Sequence, residues 1–307
     1  MASRRLYLEA VLKMSKQQVS ERRFIALSLT PIVILFLVFS VIPIAIGTVL
    51  MFFDYSPLSN SIPFAGFKHI QELFSDKMFF KSLGVTFTFV IVAIPANIVV
   101  TLLIAMGINK IHDGFWKNSF RTLFFLPAIA PLAGSAVIWT TMFNADSGVV
   151  NMAFKLLGLP SVNWLTDPST ALLSVIIMTL WADIGYNIVL FMAGLDSIPE
   201  SLYEAAELDG ASKWHVFWSI SLPMLSRTML FVFIMTSISY FQMFPQFQIM
   251  TKGGPLHETY VLALNIYDQA FSFMNMSYAS AMAFMMLIII LILTLIQMRI
   301  GRSQWEH

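Results

Sequence analysis

Long intervals without Asp, Glu, Lys or Arg dominate the hydrophobic pattern of this chain, and their apolar positions run continuously rather than alternating. A helix crosses a hydrocarbon core of about 30 Å with about 20 residues. Continuous apolar runs also favour helices over a membrane barrel. The pattern therefore predicts an all-α integral membrane protein. Its six predicted transmembrane helices lie near residues 25–52, 82–108, 122–143, 171–194, 228–250 and 279–298.

Composition supports a membrane protein and excludes several other classes. Hydrophobic residues make up 58% of the 307 positions and charged residues 11%, whereas roughly a quarter of the residues in soluble domains are charged. The formal net charge of +1 argues against a nucleic-acid-binding protein, which would carry a basic excess. The absence of cysteine excludes disulfides and thiolate metal sites.

Lys and Arg are unevenly distributed between the two sides of the predicted bundle. Thirteen of the 18 lie in the N-terminal arm (1–24), the second and fourth connecting loops and the C-terminal end, and five lie in the other loops. Cytoplasmic loops carry an excess of Lys and Arg. Both termini and the loop at 196–227 are therefore predicted to be cytoplasmic. The transmembrane domain is predicted at 25–300, between the cytoplasmic arm 1–24 and a cytoplasmic tail at 301–307.

The loop at 196–227 is a polar segment between two apolar ones, and its residues predict two short helices. Ser197 and Pro199 form a helix-start signal, and good helix formers follow from Glu200 to Leu208. Asp209-Gly210 is expected to end this helix because Gly tolerates a left-handed turn. Ser212 is then expected to cap a second short helix, after which Leu222-Pro223 opens the fifth span.

Nine positions of this loop resemble the EAA loop of ABC-importer permease subunits. They are Glu204, Ala205, Ala206, Asp209, Gly210, Ala211, Ile220, Leu222 and Pro223. The resemblance implies a cytoplasmic coupling loop on which a partner ATPase docks. The ATPase-docking residues that it implies are Glu204, Ala205, Ala206, Asp209, Gly210, Ala211, Leu222 and Pro223.

A second resemblance lies in the external loop after the fifth span. Gly253-Gly254-Pro255 predicts a tight turn at the outer surface. With the residues that follow, this turn is similar to the C-terminal pattern of carbohydrate-type importers, in particular the first permease of the maltose- and glycerol-phosphate-type pairs. The matching residues are Thr251, Gly253, Gly254, Pro255, Thr259, Tyr267, Ala270, Phe271, Tyr278, Ala279, Ser280 and Ala281.

This resemblance implies a six-helix type I ABC importer permease in a bacterial inner or plasma membrane. Its expected partners are a second homologous permease, two ATPase subunits that hold ATP and Mg, and an extracytoplasmic solute-binding protein that delivers a sugar. The expected function is sugar import by alternating access. Import of glycerol phosphate or another polar solute is one alternative, and a proton-coupled secondary carrier is another.

No catalytic or metal-binding motif appears in the chain. The phosphate-binding pattern GxxxxGK[ST] and a metal-ligating HExxH pair are both absent. The chain is therefore predicted to be a transport subunit without enzymatic activity, cofactor or metal of its own, and the partner ATPase is expected to hydrolyse ATP.

Polar residues inside two predicted spans are candidates for the substrate path. A lipid-facing carboxylate at the position of Asp183 would cost about 2.5–3.5 kcal/mol or more, so this side chain must face protein or water. Tyr186 and Asn187 belong to the same span, and Asn187 shares a helix face with Asp183. The fifth span contributes Tyr240, Gln242 and Gln246. Polar contacts between helices are the alternative role for these residues.

Overall fold

The structure is a computed structural model that describes residues 21, 23–57, 61–112 and 114–302. Most of the predicted arm 1–24 and most of the tail 301–307 lie outside the described residues. The part of the chain that is described is almost entirely helical. Its helices are α1 Arg23–Leu50, α2 Lys68–Ser75, α3 Lys77–Asn109, α4 Phe115–Ile129, α5 Leu132–Met142, α6 Val149–Leu156, α7 Ala171–Asp196, α8 Glu200–Leu208, α9 Lys213–Met224, α10 Ser226–Phe241, α11 Pro245–Met250, α12 Leu262–Tyr267 and α13 Met276–Arg302.

Four single helices among the described residues are long and apolar enough to cross a membrane: α1, α3, α7 and α13. Two bent helix pairs among the described residues bring the number of spans to six if each pair is one span. The α4–α5 pair bends by 96° and the α9–α10 pair bends by 65°. The predicted third span therefore consists of two helices, and the predicted fifth span begins just after the second bend.

A proline accounts for the break between α4 and α5. Ala130 adopts an extended conformation before Pro131, as expected for a residue whose helical conformation clashes with a following proline ring. The predicted fifth span, 228–250, is also interrupted, but Phe244, which precedes its proline, is not extended. Helix α10 ends at Phe241, and Pro245 starts the separate helix α11.

Helices α3 and α7 form the centre of the bundle, and α1 lies at its periphery. In the most apolar stretch of each helix, 44% of the residues of α3 and 56% of those of α7 are buried, whereas none of those of α1 are. Between α3 and the α10–α11 segment, Phe89 packs edge-on against Phe247 with ring centroids 5.1 Å apart. The side chains of α1 are exposed in the isolated chain, and a hydrocarbon solvent suits such an apolar surface.

Gly185 allows α7 to approach α4 very closely. A Cβ atom added at this position would lie 2.8 Å from the Cα of Phe125 and closer still to the carbonyl oxygen of Phe124. Backbone atoms cannot turn away as a side chain can, so only glycine fits this crossing. The contact places the first half of the α4–α5 pair directly against the middle of α7.

Candidate transport pathway and polar hairpin

A buried hydrogen-bond network joins α3, α7 and α10 inside the bundle. Asn187 donates from Nδ2 to Oδ1 of Asn97 at 2.7 Å and approaches Oγ1 of Thr236 at 3.3 Å. Asn97 in turn donates from Nδ2 to the hydroxyl of Tyr240 at 3.0 Å. All four residues are buried. Each amide therefore has partners that offset its removal from water.

A cavity of about 350 Å³ lies beside this network and is called here the midspan cavity. The carboxyl group of Asp183 faces it and interacts with the hydroxyl of Tyr240. The residues that line it come from α4, α7 and α10. They are Phe125, Ala128, Ala182, Asp183, Tyr186, Asn187, Met235, Thr236, Ser239 and Tyr240.

Four of the six predicted path residues come together in this lining, namely Asp183, Tyr186, Asn187 and Tyr240. The two glutamines lie elsewhere. Gln242 is exposed just after α10. Gln246 is fully buried in α11, where its Nε2 donates to Oγ1 of Thr179 at 3.2 Å.

Sequence reasoning missed Asn97 and Thr236. Asn97 was detectable as a lone amide in the long apolar run of α3, since an unpaired amide in hydrocarbon costs several kcal/mol. Thr236 carried no comparable signal, because a hydroxyl in a membrane helix satisfies itself on the preceding turn, as Ser237 does with the carbonyl of Phe233.

The polar segment 196–227, called here the polar hairpin, contains the two predicted short helices. Its first helix, α8, ends as expected at Gly210, which has a φ of +69°. The N–H of Gly210 donates to the carbonyl of Glu207 at 3.0 Å, and that of Ala211 donates to the carbonyl of Ala206 at 2.9 Å. This pair of bonds is the Schellman motif, which satisfies the last carbonyls of a helix.

The second helix, α9, is capped at its start and hydrogen-bonded to the first helix, α8. The Ser212 hydroxyl accepts from the N–H of His215 at 3.2 Å, as predicted. The hydroxyls of Tyr203 on α8 and Ser221 on α9 lie 3.2 Å apart. Trp214 and Trp218 are exposed on α9 with ring centroids 5.6 Å apart. Such an aromatic face suits a membrane–water interface.

The residues matched to the EAA loop differ in exposure. Glu204, Ala205, Asp209 and Gly210 are exposed, and Ala211 is partly exposed. Ala206 is buried.

Leu222-Pro223 was expected to open the fifth span, but it forms the last turn of α9 instead. The chain bends after this turn, and α10 then begins at Ser226. Pro223 has no N–H to donate, and the turn before it, Phe217–Ser221, is a π-helix rather than an α-helix.

A second cavity, of about 680 Å³, lies between the polar hairpin and the end of α3. Lys110 and Asn109 line it from α3, and Glu207, Gly210 and Lys213 line it from the hairpin. The hairpin is therefore only partly packed on the bundle, and one of its faces stays open.

The external-loop residues Gly253, Gly254 and Pro255 form the expected turn at the end of the bundle opposite the hairpin. Gly253 has a φ of +79°, and a Cβ there would lie 3.2 Å from Cβ of Tyr260. Thr259 holds the turn. Its Oγ1 donates to the Gly254 carbonyl at 2.7 Å and lies 2.7 Å from Oγ1 of Thr251.

A polar pocket of about 480 Å³ opens at this same end. Lys68 donates to Asp54 at 3.0 Å, and this bond lowers the pKa of the Asp54 carboxyl. His69 is buried beside them, and its Nδ1 lies 3.1 Å from Oε2 of Glu72. Among the residues that the structure describes, no group of three or more His, Asp or Glu side chains has the arrangement of a metal site.

Comparison with known proteins identifies the family. Residues 77–305 match the family described as the binding-protein-dependent transport system inner membrane component. The chain therefore belongs to this family, a multi-pass membrane component of binding-protein-dependent transport. Its relatives are permease subunits of ABC transporters and not enzymes.

Two curated relatives illustrate the similarity. The probable ABC transporter permease protein YesP of Bacillus subtilis (strain 168) is 36% identical, with 91% of this chain and 90% of that protein covered. The lactose transport system permease protein LacF of Rhizobium radiobacter is 32% identical, with 91% and 94% covered.

One solved structure supports the fold. A chain in the crystal structure of a bacterial alginate ABC transporter, in complex with an alginate pentasaccharide-bound periplasmic protein, matches with a TM-score of 0.82. The match is 23% identical and covers 94% of this chain and 96% of that one. The predicted all-α fold of an ABC importer permease is thereby confirmed.

Proposed function

We propose that this chain is the transmembrane subunit of an ATP-driven importer that carries a sugar or oligosaccharide from an external binding protein into the cytoplasm. The continuity of α7 carries this proposal. The helix lines the midspan cavity at Asp183 and Asn187 and leads directly into the polar hairpin. At 1.5 Å per residue, the hairpin starts about 20 Å beyond Asp183. A packed helix transmits a displacement at one end to the other, which suits alternating access.

The polar hairpin is the proposed docking surface for the ATPase. Glu200, Glu204 and Glu207 are exposed on α8, where a basic partner surface can pair with them. The exposed Ala205 allows a partner to approach closely. The excess of Lys and Arg on this side of the bundle supports a cytoplasmic location. Two ATPase subunits would bring ATP and Mg, and a second homologous permease would complete the pathway.

The midspan cavity suits a sugar. Its lining offers an amide at Asn187, hydroxyls at Thr236 and Ser239, and the exposed aromatic ring of Tyr186. Hydroxyl-rich ligands are held by such precisely placed polar groups among apolar and aromatic walls. The lactose transport for which the relative LacF is named supports the same class of cargo.

Cross-linking tests the docking surface directly, because the natural chain has no cysteine. A Glu204→Cys variant labelled with a photoreactive maleimide should form an adduct with the ATPase in the assembled complex. A Glu258→Cys variant, placed at the opposite end, is the matched control and should form none. An ATPase adduct from the control alone, or from neither position in an assembled complex, would refute the docking role.

A further inference from the structure

Asp183 is the only charged residue among those that line the midspan cavity. The other polar groups of the lining are neutral amide, hydroxyl and phenol groups. Within the described helices that form the cavity, α7 contains no Lys or Arg at all. On the other two lining helices, the cations closest in sequence to the lining are Arg121 of α4 and Arg227 of α10. Arg121 lies one helical turn from Phe125, about 6 Å further along α4, and outside the lining.

Among its described residues, this chain therefore places no cation in the wall of the cavity beside the Asp183 carboxyl group. Phenol and amide groups donate hydrogen bonds that favour a carboxylate, but they add no positive charge. Inside a protein, charges interact more strongly than in water because the effective dielectric constant is lower. A solute with its own carboxylate, phosphate or sulfonate would meet an uncompensated like charge at this point. A neutral or cationic solute would not.

We propose that the pathway of this chain passes uncharged or amine-bearing sugars and excludes acidic ones, and that Asp183 sets this preference. The inference rests on the proposed function and narrows its substrate class. It also separates this chain from importers of glycerol phosphate, whose cargo is an anion. Like-charge exclusion of this kind is a common route to specificity.

Charged thiol reagents measure the potential of the cavity without knowledge of the substrate. A Ser239→Cys variant of the assembled complex is treated with trimethylammonium-ethyl or sulfonato-ethyl methanethiosulfonate. The thiolate forms a disulfide with the reagent and releases a sulfinate, so the mass increase of this chain gives each rate. The ratio of the cationic to the anionic rate should be at least about tenfold higher with Asp183 than with Asp183→Asn.

A Leu157→Cys variant is the control. This exposed residue lies near the end opposite the hairpin, outside the cavity lining, so its ratio should not respond to Asp183→Asn. Raising the salt concentration should also lower the Ser239→Cys ratio in the Asp183 background, a readout that needs no second folded variant. Equal ratios with and without Asp183 would overturn the proposal.

Uptake separates this inference from the proposed function. The complete complex is offered maltotriose, a glucosamine disaccharide and digalacturonate through its own binding protein. ATP-driven uptake of either of the first two, without uptake of digalacturonate, is expected. Uptake of digalacturonate at an equal or higher rate would contradict the charge preference while leaving the importer function intact. Absence of any ATP-driven uptake counts against the importer function instead, and the thiol ratio still decides the charge preference.

Discussion

Asn187 donates its Nδ2 hydrogen to Oδ1 of Asn97 at 2.7 Å, which ties α7 to α3 well inside both helices. Asn97 extends this link to α10 through the hydroxyl of Tyr240. The Asn97 side chain thus bridges α7 and α10, two of the helices that line the midspan cavity. Polar contacts of this kind are the main specific attraction between helices in lipid, where the hydrophobic effect no longer distinguishes protein from solvent.

Replacing Asn97 should loosen this arrangement. Asn97→Leu removes the partner of both Asn187 and Tyr240, and the expected loss is about 1 kcal/mol per interhelical hydrogen bond. A lower unfolding temperature of the purified complex in detergent checks this. Asn118→Leu, at an exposed position of α4, is the matched control and should unfold like the unmodified protein. Identical unfolding temperatures for the two variants would rule out the network as a source of stability.

Gly185→Ala should destabilise the crossing of α4 and α7. The added methyl group would lie 2.8 Å from the Cα of Phe125, so the two helices must separate. Overpacking of this kind typically costs about 1–3 kcal/mol. The measurement is again thermal unfolding in detergent. Gly134→Ala is the control, because a Cβ there meets nothing within 4 Å and alanine favours a helix. If Gly185→Ala were as stable as this control, the close approach would be absent in the membrane.

Gly210→Val should disturb the polar hairpin without affecting the bundle. Its φ of +69° is costly for residues with a Cβ, by roughly 1–2 kcal/mol. Open space surrounds the position, so the effect comes from the backbone and not from packing. Gly210→Asn should keep more of the structure, since Asn tolerates this conformation. Hydrogen exchange of the backbone amides at positions 210 and 211 measures how well the end of α8 is formed in each variant. Equal protection of these amides in both variants would contradict the role of the left-handed conformation.

At the end of the bundle opposite the polar hairpin, Thr259 and the Lys81–Glu258 ion pair should differ sharply in their contribution to the free energy of unfolding. Thr259→Val removes the bonds to Gly254 and Thr251 from a fully buried site, at an expected cost of about 1–3 kcal/mol. Lys81 and Glu258 are only 2.6 Å apart, but both are about 40% exposed. Surface pairs contribute about 0–1 kcal/mol. Lys81→Ala should therefore unfold at a temperature close to that of the unmodified protein. A larger loss of stability for Lys81→Ala than for Thr259→Val would contradict this ranking.

Local sequence signals predicted the polar hairpin well because its structure depends on neighbouring residues. Ser212 caps α9 and Gly210 ends α8 through backbone rules that apply to any soluble or membrane helix. Hydropathy likewise located the apolar segments. Hydropathy averages over a window, so it does not detect where a span bends. The break before Pro131 follows from a single proline, to which a hydropathy average gives no weight.

The midspan cavity was predictable only in part. Asp183 and Asn187 were recognisable because their polar groups need a partner inside the membrane. Gln246 carried the same signal, yet it is buried against Thr179 as a contact between helices. Sequence shows that such a residue must be satisfied, but packing decides whether a cavity or another helix does so.

ATP-dependent uptake tests the central claim most directly. The chain is reconstituted into vesicles with its second permease, its ATPase and its binding protein, and uptake of the binding protein's labelled sugar is measured with ATP on the side of the polar hairpin. The account predicts uptake that requires ATP and the ATPase, is insensitive to an ionophore that removes the proton gradient, and falls markedly in Gly210→Val but not in Gly134→Ala. Uptake that proceeds without the ATPase and is abolished by the ionophore would contradict it and identify a proton-coupled carrier.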